Sequence, residues 1–98
     1  MGLRDPLSAD EVSRRLSLTG WTGDTKQITK SYQVNYDTAI KIVTDIGKAA
    51  IELEHRPDIT IRWAELQISM TTHTAGDAVT ELDFLLAERI DQIVQRHL

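Results

Sequence analysis

The stretch DITIRWAELQISMTTH, residues 58–73, decides the fold. Ile59, Ile61 and Trp63 alternate with polar residues, and after a short turn near Ala64-Glu65 the alternation resumes with Leu66, Ile68, Met70 and Thr72. Successive side chains of a strand point to opposite faces, so the pattern predicts two antiparallel strands, each with one apolar face. Gln67, Ser69, Thr71 and His73 then share the opposite face, which keeps His73 out of the core.

Upstream of this hairpin the period changes. Ala39, Ile42, Val43, Ile46, Ala49, Ala50 and Leu53 recur at three- and four-residue steps, which predicts an amphipathic helix of about five turns, capped by Asn35 and ended by Pro57. A second stripe on the same helix carries Ile40, Gly47 and Ile51. An interior Gly costs about 1 kcal/mol relative to Ala, so Gly47 reads either as a close packing point or as a tolerated residue on a solvated face.

Earlier still, Ile28, Tyr32 and Val34 fall on alternate positions of a second strand pair, whose weaker first member lies in Thr19–Asp24. Ser8-Ala9-Asp10-Glu11 has the form of a capping box, and Leu7 and Val12 occupy the staple positions around it, predicting a first helix from Ala9 to about Ser17. Downstream, Thr74–Asp77 is a turn, and Thr80-Glu81-Leu82-Asp83 is another capping box, with Val79 and Phe84 as its staple. The last helix, Glu81 to about Arg96, buries Leu82, Leu86, Ile90, Ile93 and Val94. The order α-β-β-α-β-β-α predicts an α+β fold: a four-stranded antiparallel sheet with three helices packed on one face, in a single domain spanning 1–98.

Composition narrows the function. Eleven basic against 15 acidic residues give a net charge of −4, a poor footprint for nucleic acid or an anionic membrane surface. The N-terminal stretch has no apolar core with a cleavage site, and no segment is long enough to span a bilayer, so a cytoplasmic protein is expected. The chain has no cysteine, which excludes disulfides, thiolate metal sites and a thiol nucleophile.

Histidine carries the remaining neutral-pH chemistry. His55 at the end of the long helix either caps carbonyls or serves as an acid/base group; His73 at the end of a strand is either a turn residue or its partner in that chemistry. Asp83 has a sufficient structural role in its capping box, and a second one as an orienter of a catalytic group. His97 reads as a solvated terminal residue. Glu54 is adjacent to His55 and two from Glu52, and such neighbours do not share a helix face; there is also no HExxH or phosphate-binding glycine loop, so no metal is expected.

The segment Glu54-His55-Arg56-Pro57-Asp58, followed by Trp63, Thr72-His73, Gly76 and Asp83, resembles the signature of the pterin-4a-carbinolamine dehydratases from about Trp21 to Ile93. That signature runs His-His-Pro, an aromatic after five residues, a histidine after nine more, a Gly-containing turn and an Asp opening the final helix. Two positions depart from it: Arg56 stands for the second histidine, and Ile51 for an acidic or polar residue four before the first. The resemblance implies a homodimer or homotetramer that dehydrates a 4a-hydroxytetrahydropterin without a metal or organic cofactor. In it His55 and His73 are catalytic, Arg56, Pro57 and Trp63 bind the substrate, and Asp83 supports them. Arginine is charged at any relevant pH and has no acceptor, so Arg56 replaces the histidine as a cation and not as a proton shuttle. The departures also motivate two alternatives: a non-catalytic assembly or dimerisation factor of the kind associated with carboxysomal rubisco, and a dehydratase repurposed for another small molecule.

Overall fold

A computed structural model describes residues 2–98. The central hairpin forms as two strands, β3 (Asp58–Arg62) and β4 (Glu65–Met70), and β4 also pairs antiparallel with β2 (Ile28–Gln33). A two-residue β1 (Thr22–Gly23) completes the sheet in the order β1-β2-β4-β3. Leu66, Ile68 and Met70 on β4 and Ile28 on β2 are buried on one face, with Ile59 and Ile61 half-buried beside them. Each fully buried aliphatic side chain contributes about 1.5–3 kcal/mol, so this face fixes the strand register: a slip by one residue would turn it to solvent.

The hairpin turn falls at Trp63-Ala64, one residue earlier than the sequence suggests, because Arg62 pairs with Glu65. Trp63 therefore leaves the Ile59–Ile61 row and is 85% exposed. β4 stops at Met70, yet Thr72 keeps the inward parity of the strand and is fully buried.

Helices α1 (Ala9–Leu16), α2 (Tyr36–Leu53) and α3 (Glu81–His97) cover the apolar face. In α1, Ser8 Oγ caps the Glu11 N–H, but the Glu11 carboxylate turns away from the box to the guanidinium groups of Arg14 and Arg15. That pair of cations, Arg14 foremost, lowers the Glu11 pKa from 4.5 to about 2. Arg15 also pairs with Glu81, which joins α1 to the start of α3.

Along α2, Ala39, Ile42, Ile46, Ala49 and Ala50 are buried, as the periodicity predicts. The second stripe faces outward: Ile40 and Ile51 are exposed, and no other segment comes within 4 Å of a Cβ placed on Gly47. Pro57 does not end this helix. It stops at Leu53 because Glu54 adopts left-handed backbone geometry (φ 52°), and the Glu54 and His55 N–H groups bond back to Ile51 O and Ala50 O. This is a Schellman arrangement, here with a glutamate in the position that glycine usually fills.

α3 is tied to the sheet by Asp91, whose carboxylate accepts from Trp21 Nε1 (3.1 Å), Lys30 Nζ (2.8 Å) and the Tyr32 hydroxyl (2.5 Å). Burial, and then the neighbouring Asp91 charge, push the Tyr32 hydroxyl well above its ordinary pKa, so it remains a donor. At the far end His97 Nε2 lies 2.8 Å from Asp45, whose carboxyl it holds below the usual range. Among the described residues no helix is long and apolar enough to cross a membrane.

Two predictions test this frame. Gly23 sits at φ 145°, and a Cβ there would lie 2.1 Å from Gln27 O, so Gly23→Ala should cost more than about 1 kcal/mol in urea denaturation. Because the folded Glu11 pKa is depressed, its stabilising effect is fully present above pH 4.5 and is lost as pH falls toward about 2. Paired denaturation curves should therefore separate the parent from Glu11→Gln at pH 6 and converge near that lower limit.

Candidate active site

The end of α2 sets the first side chain. With Glu54 turned left-handed and the His55 N–H returned to Ala50 O (3.0 Å), the chain reverses and the His55 ring enters the interior, 5% exposed. It does not cap carbonyls. Its Nε2 meets Asp83 Oδ1 at 2.5 Å, joining residues 28 positions apart in sequence.

Asp83 is fully buried, which would cost several kcal/mol for a carboxylate without partners. It has three. Oδ1 faces His55; Oδ2 accepts from the Thr80 N–H (2.9 Å) and from the Thr72 hydroxyl (2.9 Å). An ionised carboxylate only accepts, so the ring nitrogen facing Asp83 is the donor and the Thr72 proton points at Oδ2. Thr72 Oγ1 also lies 2.7 Å from Thr80 Oγ1, and with its own proton committed it accepts from that hydroxyl. The order of donation is Thr80 to Thr72 to Asp83, with His55 donating from the other side. Asp83 thus has both roles open to it from the sequence, capping α3 and orienting a histidine.

With Nε2 donating, His55 Nδ1 carries the lone pair. Among the described residues it has no hydrogen-bond partner, and the one fully buried side-chain polar atom lacking a partner is Thr71 Oγ1, so Nδ1 keeps access to solvent. His55 and Thr71 line a cleft of about 180 Å³ together with Arg4, Glu54, Arg56 and His73. His73 opens a short 3-10 turn, His73–Ala75, and its Nδ1 contacts Asp77 Oδ1 at 2.6 Å. Both side chains of that pair are largely exposed, so the contact is weak, and His73 Nε2 is left free.

The structure therefore brings together His55, His73 and Arg56 at one cleft, with Asp83 directly behind His55. Pro57 and Trp63 are not part of its wall. Five residues of strand rise separate Asp58 from Trp63, about 17 Å, and carry the indole to the opposite end of the sheet from His55. Larger depressions of about 640 and 440 Å³ run along α3, but neither contains a histidine. Among the described residues no three His, Asp or Glu side chains converge on one point as metal ligands would.

Three further residues contribute to the site, and the sequence gives none of them a role in it. Thr72 at inward strand parity and Thr80 at an N-cap are both legible as positions, but their joint bonding to Asp83 is not. Arg4 had no local signal: its Nη2 donates to Glu54 O (2.9 Å) because the N-terminal segment runs across the site. Leu3 O accepts from the Leu82 N–H, Pro6 bridges to Thr80, and the Leu7 N–H donates to Val79 O.

Comparison with known proteins gives this geometry a context. The family profile "Pterin 4 alpha carbinolamine dehydratase" matches residues 5–93. The chain is 37% identical over 95 residues to a Streptomyces avermitilis protein named "Putative pterin-4-alpha-carbinolamine dehydratase", spanning 95% of this chain and 94% of the relative. A Roseiflexus protein of the same name is 42% identical over 90 residues, covering 90% and 96%. A Brucella melitensis structure titled transcriptional coactivator/pterin dehydratase superposes with TM-score 0.85 at 24% identity, over 92% of this chain and 99% of that one. A pterin dehydratase-like rubisco assembly factor of the alpha-carboxysome shares the fold more loosely, with TM-score 0.60 at 17% identity, over 76% and 86%. Sequence signature, sheet order and the extent of these matches agree, and the chain belongs to the pterin-4a-carbinolamine dehydratase family.

Proposed function

We propose that this protein dehydrates a 4a-hydroxytetrahydropterin, with His55 and His73 as its proton-transfer groups. The observation that carries this reading is the buried His55–Asp83 pair, 2.5 Å apart, with the second ring nitrogen of His55 open beside His73. Dehydration breaks the C4a–O bond, sends the hydroxyl away as water, and takes one proton from the adjacent ring nitrogen to form the C=N bond of the quinonoid product. The leaving oxygen needs a donor and the ring nitrogen an acceptor. His55 Nδ1 accepts, and the imidazolium that forms is stabilised by the Asp83 carboxylate that already holds the ring. His73, free at Nε2 and in contact with solvent, protonates the departing hydroxyl and is then reprotonated from bulk water. Arg56 donates to the pterin as a fixed cation where most of the family has a histidine. The active form is a homo-oligomer in the cytoplasm, a state in keeping with the outward Ile40–Ile51 stripe.

A second reading has its own support. Arg56 and the exposed Ile51 stand where the family carries polar chemistry, and the fold is shared with an assembly factor. In that case the protein is a non-catalytic binding partner, and failure to speed dehydration would favour it.

The deciding measurement is the rate at which 4a-hydroxytetrahydropterin, generated in situ, gives the quinonoid product with and without the protein. Acceleration is expected, together with a loss of about 100- to 10,000-fold in His73→Ala, the span expected for one acid/base group. No acceleration over buffer by the parent protein rules the dehydratase reading out. The hydroxyl relay is tested separately. Thr72→Val leaves Asp83 Oδ2 one donor short inside the core and should cost about 1–3 kcal/mol of stability and lower kcat more than it raises KM. Thr72→Ser restores the donor and should recover both; equal damage from Val and Ser would show that the methyl group, and not the hydroxyl, matters.

A further inference from the structure

On an acidic chain of net charge −4, the cleft beside His55 is rimmed by two arginines, Arg4 and Arg56. Among the described residues Arg14, Arg15, Lys30 and Arg89 each pair with a carboxylate within 4.0 Å; Arg4 and Arg56 are among the cations that do not, and these two share one cleft. Glu54 is the one carboxylate at the rim, and it takes Arg4 through its backbone carbonyl, not its side chain. The Arg4 guanidinium is also held in place. Its Nη2 is fixed on Glu54 O at 2.9 Å, and the strap that carries it is pinned by backbone bonds from Leu82 and Leu7. Four of its five N–H donors remain for another acceptor.

We infer that the cleft binds a pterin whose side chain bears an anionic group, a carboxylate or a phosphate, held between Arg4 and Arg56. This rests on the pterin reading and adds to it a requirement that the uncharged tetrahydropterins do not meet. The chemistry favours it because guanidinium groups bond carboxylate and phosphate oxygens in pairs, and because such charge-assisted bonds are about twice as strong as neutral ones. Replacing a histidine by Arg56 removes a proton-transfer group and, with Arg4 opposite, creates an anion clamp. On this reading the substitution exchanges a titrating group for selectivity among substrates.

Three fluorescent pterins that differ in one substituent test the idea: 6-hydroxymethylpterin, pterin-6-carboxylate, and the phosphate ester of the first. Quenching titrations should show at least one of the two anionic ligands binding about tenfold or more tightly than the neutral one. That preference should fall in about 0.5 M salt and collapse in the Arg4→Gln/Arg56→Gln double variant. Which of the two anions gains says whether the group is carboxylate or phosphate. Arg56 is exposed and outside the strap, so Arg56→Gln alone gives the same readout in a folded protein should loss of Arg4 loosen the N-terminus. Equal affinity for all three ligands, or a preference unchanged in the variants, overturns the anion clamp and leaves the dehydratase reading intact. Binding of none of them overturns both.

Discussion

A carboxylate with no exposed surface must be satisfied from within, and the Asp83 side chain sets terms that three separate segments have to meet. The start of α3 supplies the Thr80 N–H, the stretch after β4 supplies the Thr72 hydroxyl, and the chain leaving α2 supplies the His55 ring. None of these groups is a neighbour of the others through a single element. If the β4 register slipped by one residue, Thr72 would turn to the other face; if α2 ran one turn further, His55 would not reach. The position of the candidate base is thus coupled to the packing of the whole sheet, and it is held by hydrogen bonds that cannot be given up singly without leaving a buried charge short.

The same arrangement is built on a strained residue. Left-handed geometry costs an ordinary L-residue about 1–2 kcal/mol, and a glycine at position 54 would avoid it. Glu54 nevertheless ends α2, and its carbonyl is the acceptor that fixes Arg4. Helix termination, histidine placement and docking of the N-terminal strap all meet within two residues, Glu54 and His55. The strap closes the cleft on one side, through contacts to Val79, Thr80 and Leu82 that are themselves beside Asp83. The site is therefore built on the ends of regular elements, where orphan backbone groups need partners anyway and where a small displacement is resisted by several bonds at once.

How much of this could be read in the sequence follows from which forces are local. Strand alternation in residues 58–72 and the three- and four-residue steps of α2 are imprinted by burial on each element separately, so sheet, helices and their order were legible. The turn at Trp63-Ala64 was misplaced by one residue because the apolar Trp63 extends the alternation, although the Arg62–Glu65 pairing ends it. Pro57 looked like the helix terminator because proline is a strong local signal, whereas the left-handed Glu54 has none. In the site, the spacing of His55, His73 and Asp83 was visible, and their convergence was not, since it depends on tertiary packing. Arg4 was out of reach altogether: nothing in MGLRDPL announces a strap across a site some fifty residues away, and its partner is a backbone carbonyl that any residue could provide.

Arg56 shows how one substitution divides a family's shared geometry from its shared chemistry. Everything that positions His55 lies behind it, in Asp83, Thr72 and Thr80, and none of those bonds involves residue 56. The exchange of histidine for arginine is therefore free of the core and acts only on what the cleft presents to a ligand. A neutral imidazole can give or take a proton near pH 7; a guanidinium can do neither, but it offers a permanent charge and a planar set of donors. In the proposed dehydration the two histidines still at the cleft supply one acid and one base, which balances the protons without a third titrating group. On the same proposal position 56 sets the charge that a substrate meets beside Arg4, so that proton transfer and selectivity would fall on different residues of one small cleft.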